Sequence, residues 1–283
     1  MSDEHIIEAI GRARVVVRDG QVVEVGEPLI RSCPLAERFG RPVREMTKEA
    51  IRENIEERIR SFGMCTPDRK VLADPDFVLF GASELISCAI RNGLLDSAVI
   101  ACDGAGTLVA QNPRLVQGVG GRMSGLVKTS PIPPVIERIE ANGGRVLDPA
   151  TAPIDQVKGV GLARDMGCRR VAVTVAGAAE AEEIRRLYPE SIIVAVHTTG
   201  LSAKESERLV AVADIVTVCA SLHLREAAGR VALLQGGAAI PVFALTQQGK
   251  DVILEKIRET DTPVYIKGER LPVSGGRQPE PLL

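Results

Sequence analysis

Three apolar runs in this chain end in residues that can do chemistry. The run SAVIA is followed by Cys102-Asp103-Gly104-Ala105-Gly106-Thr107, SIIVAV by His197-Thr198-Thr199-Gly200, and DIVTV by Cys219-Ala220-Ser221. A neutral imidazole at His197 could act as general base, metal ligand or hydrogen-bond donor. A thiol at Cys219 or Cys102 could attack a substrate once a base takes its proton. His197, Cys219 and Asp103 are therefore the candidate catalytic residues. Gly104 and Gly106 let a ligand approach the backbone and Thr107 adds a hydroxyl, so a phosphate or carboxylate could rest there; a plain tight turn is the alternative. Position 109 is valine and no Lys-Ser or Lys-Thr pair follows, so neither the dinucleotide fingerprint nor the P-loop is spelled out. Thr198, Thr199, Ser221 and Arg122 complete the candidate anion-binding set. Arg122 and Ser124 come from the glycine-rich stretch QGVGGRMSG, which also reads as a simple flexible loop.

The chain has six cysteines. Cys33 precedes Pro34, Cys65 opens CTPD and Cys102 opens CDGAGT, so each sits where the chain turns. Together Cys33, Cys65 and Cys102 could hold an iron–sulfur cluster or another soft metal. No C-x-x-C pairing supports that set. Cys88, inside an apolar helical pattern, and Cys168, just before a strand, read as core positions. Asp68 and Arg69 beside Cys65 suit either ligand orientation or a local ion pair.

Residues at strand mouths can act together only if their strands run side by side in one direction. From residue 80 onward helical and strand patterns alternate, and the strands are nearly continuous Val, Ile and Ala, as a parallel sheet covered on both faces requires. The expected fold is α/β: a Rossmann-like, doubly wound, mainly parallel sheet over residues 76–268, with TSPIPP marking an internal boundary or crossover near 128–134. Before it, over 1–75, the pattern predicts an N-terminal β-hairpin turning at Asp19-Gly20 and a helical extension capped by Thr47. Ile51, Ile55 and Ile59 share one face of that helix, which packs on the fold or on a second copy of the chain. Ser202-Ala203-Lys204-Glu205 spells a capping box that fixes the helix after His197. Residues 269–283 read as a flexible tail. In such sheets ligands bind beyond the carboxyl ends of the strands.

A formal net charge of −2 and 2% aromatic residues exclude nucleic acid as an expected partner. No apolar run is long enough for a membrane span, and the start MSDEHIIEAIGRAR lacks a secretory pattern, so a cytoplasmic protein is expected. The expected partner is a small-molecule ligand, with a homo-oligomer as a further option.

RVVVRDG, SCPL, FGMCTPDR, CDGAGT, AVHTTG and IVTVCAS, in this order, resemble the methanogenesis marker protein 8 family over essentially the whole chain. The resemblance implies a cytosolic protein of strictly anaerobic archaea and some other anaerobes, associated with methanogenic one-carbon metabolism. It carries over no reaction. Cys33, Cys65, Cys102, Asp103, His197 and Cys219 transfer as motif members only. The expectation is an enzyme or maturation factor that binds a small anionic substrate or a thiolate-ligated metal centre at the strand edge. The alternatives are a non-catalytic assembly protein of a methanogenesis-related complex and, from the fold alone, a nucleotide- or S-adenosylmethionine-binding enzyme.

Overall fold

The computed structural model describes residues 3–122 and 125–283. Strand β1 (Glu4–Glu8) pairs antiparallel with β2 (Arg14–Arg18), which turns back into β3 (Gln21–Val25). The turn is the expected one, with Asp19 and Gly20 both at positive φ (47° and 71°). Helix α1 (Lys48–Phe62) begins where Thr47 accepts a hydrogen bond from the Ala50 N–H. Its Ile51 and Ile55 are fully buried against Ile7, Val15 and Val17, so that stripe faces the chain's own small sheet.

After α2 (Ala82–Arg91) comes β4 (Ser97–Cys102), and here the structure departs from the expected strand-to-helix step. Gly104 and Gly106 both take positive φ (81° and 67°) and turn the chain straight back into β5 (Gly106–Ala110), antiparallel to β4. CDGAGT is therefore a hairpin turn, and not a loop opening onto a helix N-terminus. Helix α3 (Pro113–Gly120) leads to β6 (Gly125–Lys128), which pairs with β1 and completes a four-stranded antiparallel sheet in the order β3-β2-β1-β6. The small sheet thus takes its fourth strand from beyond the N-terminal segment. TSPIPP is the crossing back to the large sheet, through α4 (Pro133–Glu140) and β7 (Gly144–Val146).

A regular α/β series follows: α5 (Gln156–Asp165), β8 (Val171–Val175), α6 (Ala178–Leu187), β9 (Ile192–Ala195), α7 (Ala203–Val212) and β10 (Ile215–Thr217). It ends with α8 (Leu222–Val231), β11 (Leu234–Gly236), β12 (Val242–Ala244) and α9 (Gln247–Glu259). The large sheet has eight strands in the order β11-β12-β10-β9-β8-β4-β5-β7 among the described residues. Side chains alternate across it: Val99, Val173, Ile193 and Val216 pack beneath α5, α6, α7 and α8, whereas Ala98, Ala172, Val194 and Ile215 face α2, α3, α4 and α9.

This is a three-layer α/β arrangement on a mixed sheet. Among the described residues β4, β8, β9 and β10 pair in parallel, β7 and β11 run the same way and β5 and β12 run against them; the strand order turns back at β4, with β5 and β7 on one side and β8, β9 and β10 on the other. The tail, expected to be mobile, is tied to the body: Ser32 and Glu280 form an antiparallel bridge, and the Leu222 N–H donates to the Leu283 main-chain oxygen at 2.6 Å. Among the described residues no helix is long and apolar enough to cross a membrane.

Candidate functional site

Strands β4, β9 and β10 do point the same way, so Cys102, His197 and Cys219 share one edge of the sheet. They do not share one pocket. β8 separates β4 from β9, and at about 4.8 Å per strand the β4 tip lies roughly 10 Å from β9 and 14 Å from β10. Two clusters result, both beneath β1, which runs across this edge.

The first surrounds the hairpin turn. The Asp103 carboxylate, fully buried, accepts from Arg69 Nε at 2.9 Å and from the Cys65 N–H at 2.5 Å. Arg69 is also fully buried; its remaining N–H groups reach the carbonyls of Lys70, Gly118 and Val119. Burial is the largest single influence and works against the guanidinium charge, yet the charge and hydrogen bond of Asp103, together with the neighbouring Cys102 and Cys65, hold the Arg69 pKa above its usual value. Burial first, and Asp103 second, push the thiols of Cys65 and Cys102 upward, so both are protonated, unreactive sulfurs. His5, fully buried on β1, places Nδ1 2.6 Å from Thr129 Oγ1, which accepts from the Gly104 N–H at 2.7 Å. Thr107 bonds Gln156 Oε1 and accepts from the Asp155 N–H, and a Cβ at Gly106 would sit 2.3 Å from the Ala152 carbonyl oxygen. The groups that the sequence offered as an anion cradle are thus engaged inside the fold. Arg122 belongs to this neighbourhood too, stacked 5.3 Å from the Phe62 ring that Arg69 approaches at 5.1 Å. Ser124 lies outside the described residues.

The second cluster joins the tips of β9 and β10. The Thr198 hydroxyl donates to the Thr217 carbonyl at 2.7 Å and accepts from the Cys219 N–H at 3.1 Å. Cys33 packs in the same cluster as Ala220, next to Cys219. Burial dominates and raises the Cys219 pKa, so this sulfur is a thiol. Cys33 is raised by burial as well, against the Leu35 and Ala36 N–H groups. Both cysteines are half-buried, in contrast to the fully buried Cys65 and Cys102. Ser221 caps α8, accepting from the Leu224 N–H at 3.3 Å.

His197 sits at positive φ (56°), an uncommon backbone for a non-glycine residue. Burial lowers its pKa, and the charge acting against that shift is Glu8 of β1, not the Cys219 sulfur. Among the described residues no hydrogen bond joins His197 to Cys219, the expected base and nucleophile pair. The three proposed metal-ligating cysteines are not brought together: Cys65 accompanies Cys102, whereas Cys33 packs in the cluster of Ala220, next to Cys219. Among the described residues no three His, Cys, Asp or Glu side chains form a metal-holding group.

Two open surface clefts, of about 600 and 580 Å³, lie at the opposite edge of the parallel strands, around Asp96 and Cys168 and around Arg185 and Asp214. Their polar groups are structural. Asp96 is paired with Arg170, and Asp214 accepts from Arg185, the Ile193 N–H and Thr246. The strand C-terminal edge remains the better candidate.

Sequence reasoning missed the residues that β1 and the turn after it lay across that edge: His5 and Glu8 on the strand and Arg12 in the turn. Arg12 pairs with Glu8 and donates to the Thr199 carbonyl at 2.7 Å, tying the small sheet to the loop after β9. The alternation EHIIE was the available signal for a strand; its partner β6, more than a hundred residues away, was not.

Residues 5–258 match the family described as an uncharacterized protein conserved in archaea (DUF2099). The chain belongs to this archaeal family. An uncharacterized protein of Methanocaldococcus jannaschii is 45% identical over 284 residues, covering 99% of this chain and 100% of that one. No solved structure matches the chain significantly. Cys33, Cys65, Asp103, His197 and Cys219 all fall within the matched span.

Proposed function

We propose that this chain is a cytoplasmic enzyme or maturation factor of anaerobic one-carbon metabolism, and that it binds a small anionic substrate over the tips of β9 and β10 with the Cys219 thiol facing it. One observation carries the reading: at the C-terminal edge of two adjacent parallel strands, the Thr198 hydroxyl bonds both the Thr217 carbonyl and the Cys219 N–H and so fixes a half-buried thiol there, with a second half-buried thiol, Cys33, packed in the same cluster as the neighbouring Ala220. That edge is where parallel α/β sheets bind ligands, and the N-terminus of α8 adds a partial positive charge there. Reduced, accessible thiols suit an oxygen-free setting. The resemblance to the methanogenesis marker protein 8 family and the relative in M. jannaschii support the anaerobic archaeal context. The site is one that binds with a thiol at hand, and not a formed catalytic dyad.

The test is alkylation of protein prepared without oxygen, with modified positions read by peptide mass. Cys219 and Cys33 should be modified well before Cys65 and Cys102, and millimolar phosphate or succinate should slow Cys219 selectively. Equal labelling of all four, or labelling indifferent to both anions, would remove the reading.

A further inference from the structure

Arg225, in the first half of α8, is 4% exposed. Among the described residues no carboxylate answers its charge. Nη1 donates to the side-chain oxygen of Gln278 at 2.5 Å, Nη2 to the Ala239 carbonyl at 3.3 Å, and the buried Nε has no partner. A guanidinium taken out of water with only neutral acceptors is strongly disfavoured, and burial alone depresses its pKa. Long helical side chains lean back toward the helix N-terminus. The carbonyl that Arg225 reaches belongs to the loop before β12, beside the tip of β10, where the Val218 N–H donates to the Pro241 carbonyl. The uncompensated cation therefore lies at the same strand edge as Cys219.

Its neutral partner Gln278 comes from the tail. The same tail brings the Leu283 main-chain oxygen to the Leu222 N–H at 2.6 Å, at the start of α8, and sets the Leu283 side chain close to Gly200. One short segment thus occupies two anion-seeking features, a buried arginine and a helix N-terminus, with groups that bring no side-chain charge to Arg225. What holds the segment is modest. Arg31–Glu280 and Arg277–Glu37 are largely exposed ion pairs at its rim, and the Ser32–Glu280 bridge is isolated.

We infer that Arg225 and the first turn of α8 form the subsite for the oxyanion group of the substrate, phosphate or carboxylate, and that residues 277–283 occupy this subsite until a ligand displaces them. The inference rests on the small-anion reading above and adds to it the group that recognises the charge and a strap that competes for it.

The experiment is thermal unfolding and calorimetric titration of the full chain with inorganic phosphate and with succinate, for the wild type, Gln278→Ala and Gln278→Glu. Gln278→Glu sets a carboxylate against Arg225, so it should raise the melting temperature by itself and weaken anion binding by about tenfold or more. Gln278→Ala withdraws the stand-in and should tighten binding. Which of the two anions binds identifies the class of oxyanion. A Gln278→Glu protein that is less stable than the wild type, or that binds both anions as the wild type does, overturns the inference, as does the absence of saturable binding in the wild type and in Gln278→Ala alike. Protection of Cys219 by anion that persists unchanged in Gln278→Glu would remove this subsite and leave the small-anion reading standing. Saturable binding that responds to Gln278→Glu but never protects Cys219 would do the reverse.

Discussion

Replacing Asp103 with asparagine removes one negative charge from a fully buried pair while keeping the shape of the side chain. The amide oxygen still accepts from the Cys65 N–H, so the main loss is the charge facing Arg69 Nε at 2.9 Å. Breaking a buried pair by removing one partner leaves the other charge uncompensated, at about 3–5 kcal/mol. Three backbone carbonyls still solvate Arg69, which places the expectation at about 3 kcal/mol, the lower end of that range. At roughly 2–4 °C per kcal/mol for a chain of this size class, the melting temperature should fall by about 6 °C or more. Urea unfolding followed by circular dichroism gives the free energy. The partner variant Arg69→Met should be destabilised as well, and the double variant should cost clearly less than the two single losses added together, because it buries no orphan charge. A single-variant loss under about 1 kcal/mol, or strict additivity in the double variant, would refute the claim that this pair organises the turn.

Three further outcomes follow from the same structure. His5 and His197 both have pKa values lowered from 6.5 by burial, so the folded chain resists protonating them; stability should be fully present above pH 6.5 and fall as the pH drops toward their folded values. Each contributes a slope of up to about 1.4 kcal/mol per pH unit, and His197→Asn, which tolerates the left-handed backbone, should remove its share in a pH series of unfolding curves; an unchanged slope would contradict the assignment. Gly106→Ala should destabilise far more than Gly93→Ala, since the added methyl meets the Ala152 backbone in one case and open space in the other, as paired melting temperatures would show. Arg12→Ala should release the Thr199 carbonyl and speed alkylation of Cys219, with a stability change of about 1 kcal/mol or less; slower labelling would speak against the tie.

The helices after residue 80, the Asp19-Gly20 hairpin, the Thr47 cap and the Ser202–Glu205 capping box were legible because each is written locally, in periodicity, turn residues or a four-residue motif. The common direction of β4, β9 and β10 was legible too, since near-continuous apolar strands joined by helices favour parallel pairing. Which strands stand side by side was not. The insertion of β8 between β4 and β9 depends on contacts distant in sequence, and it divides the candidate residues into two clusters. CDGAGT misled for a local reason: glycines that let a backbone approach a phosphate also let it reverse, and the short strand TLVA after it carries no helix or strand period long enough to decide. Arg69 lies thirty-four residues from Asp103, and nothing in either segment names the other as its partner.

The chain leaves its larger sheet at α3, contributes β6 to the smaller one, and returns at α4. A cut near residue 75 would strip β6 of its neighbour β1 and bare an unpaired strand. The smaller sheet is therefore stitched in from both ends, and whatever reaches the edge beneath it meets a roof that the chain cannot shed without also opening its own seam.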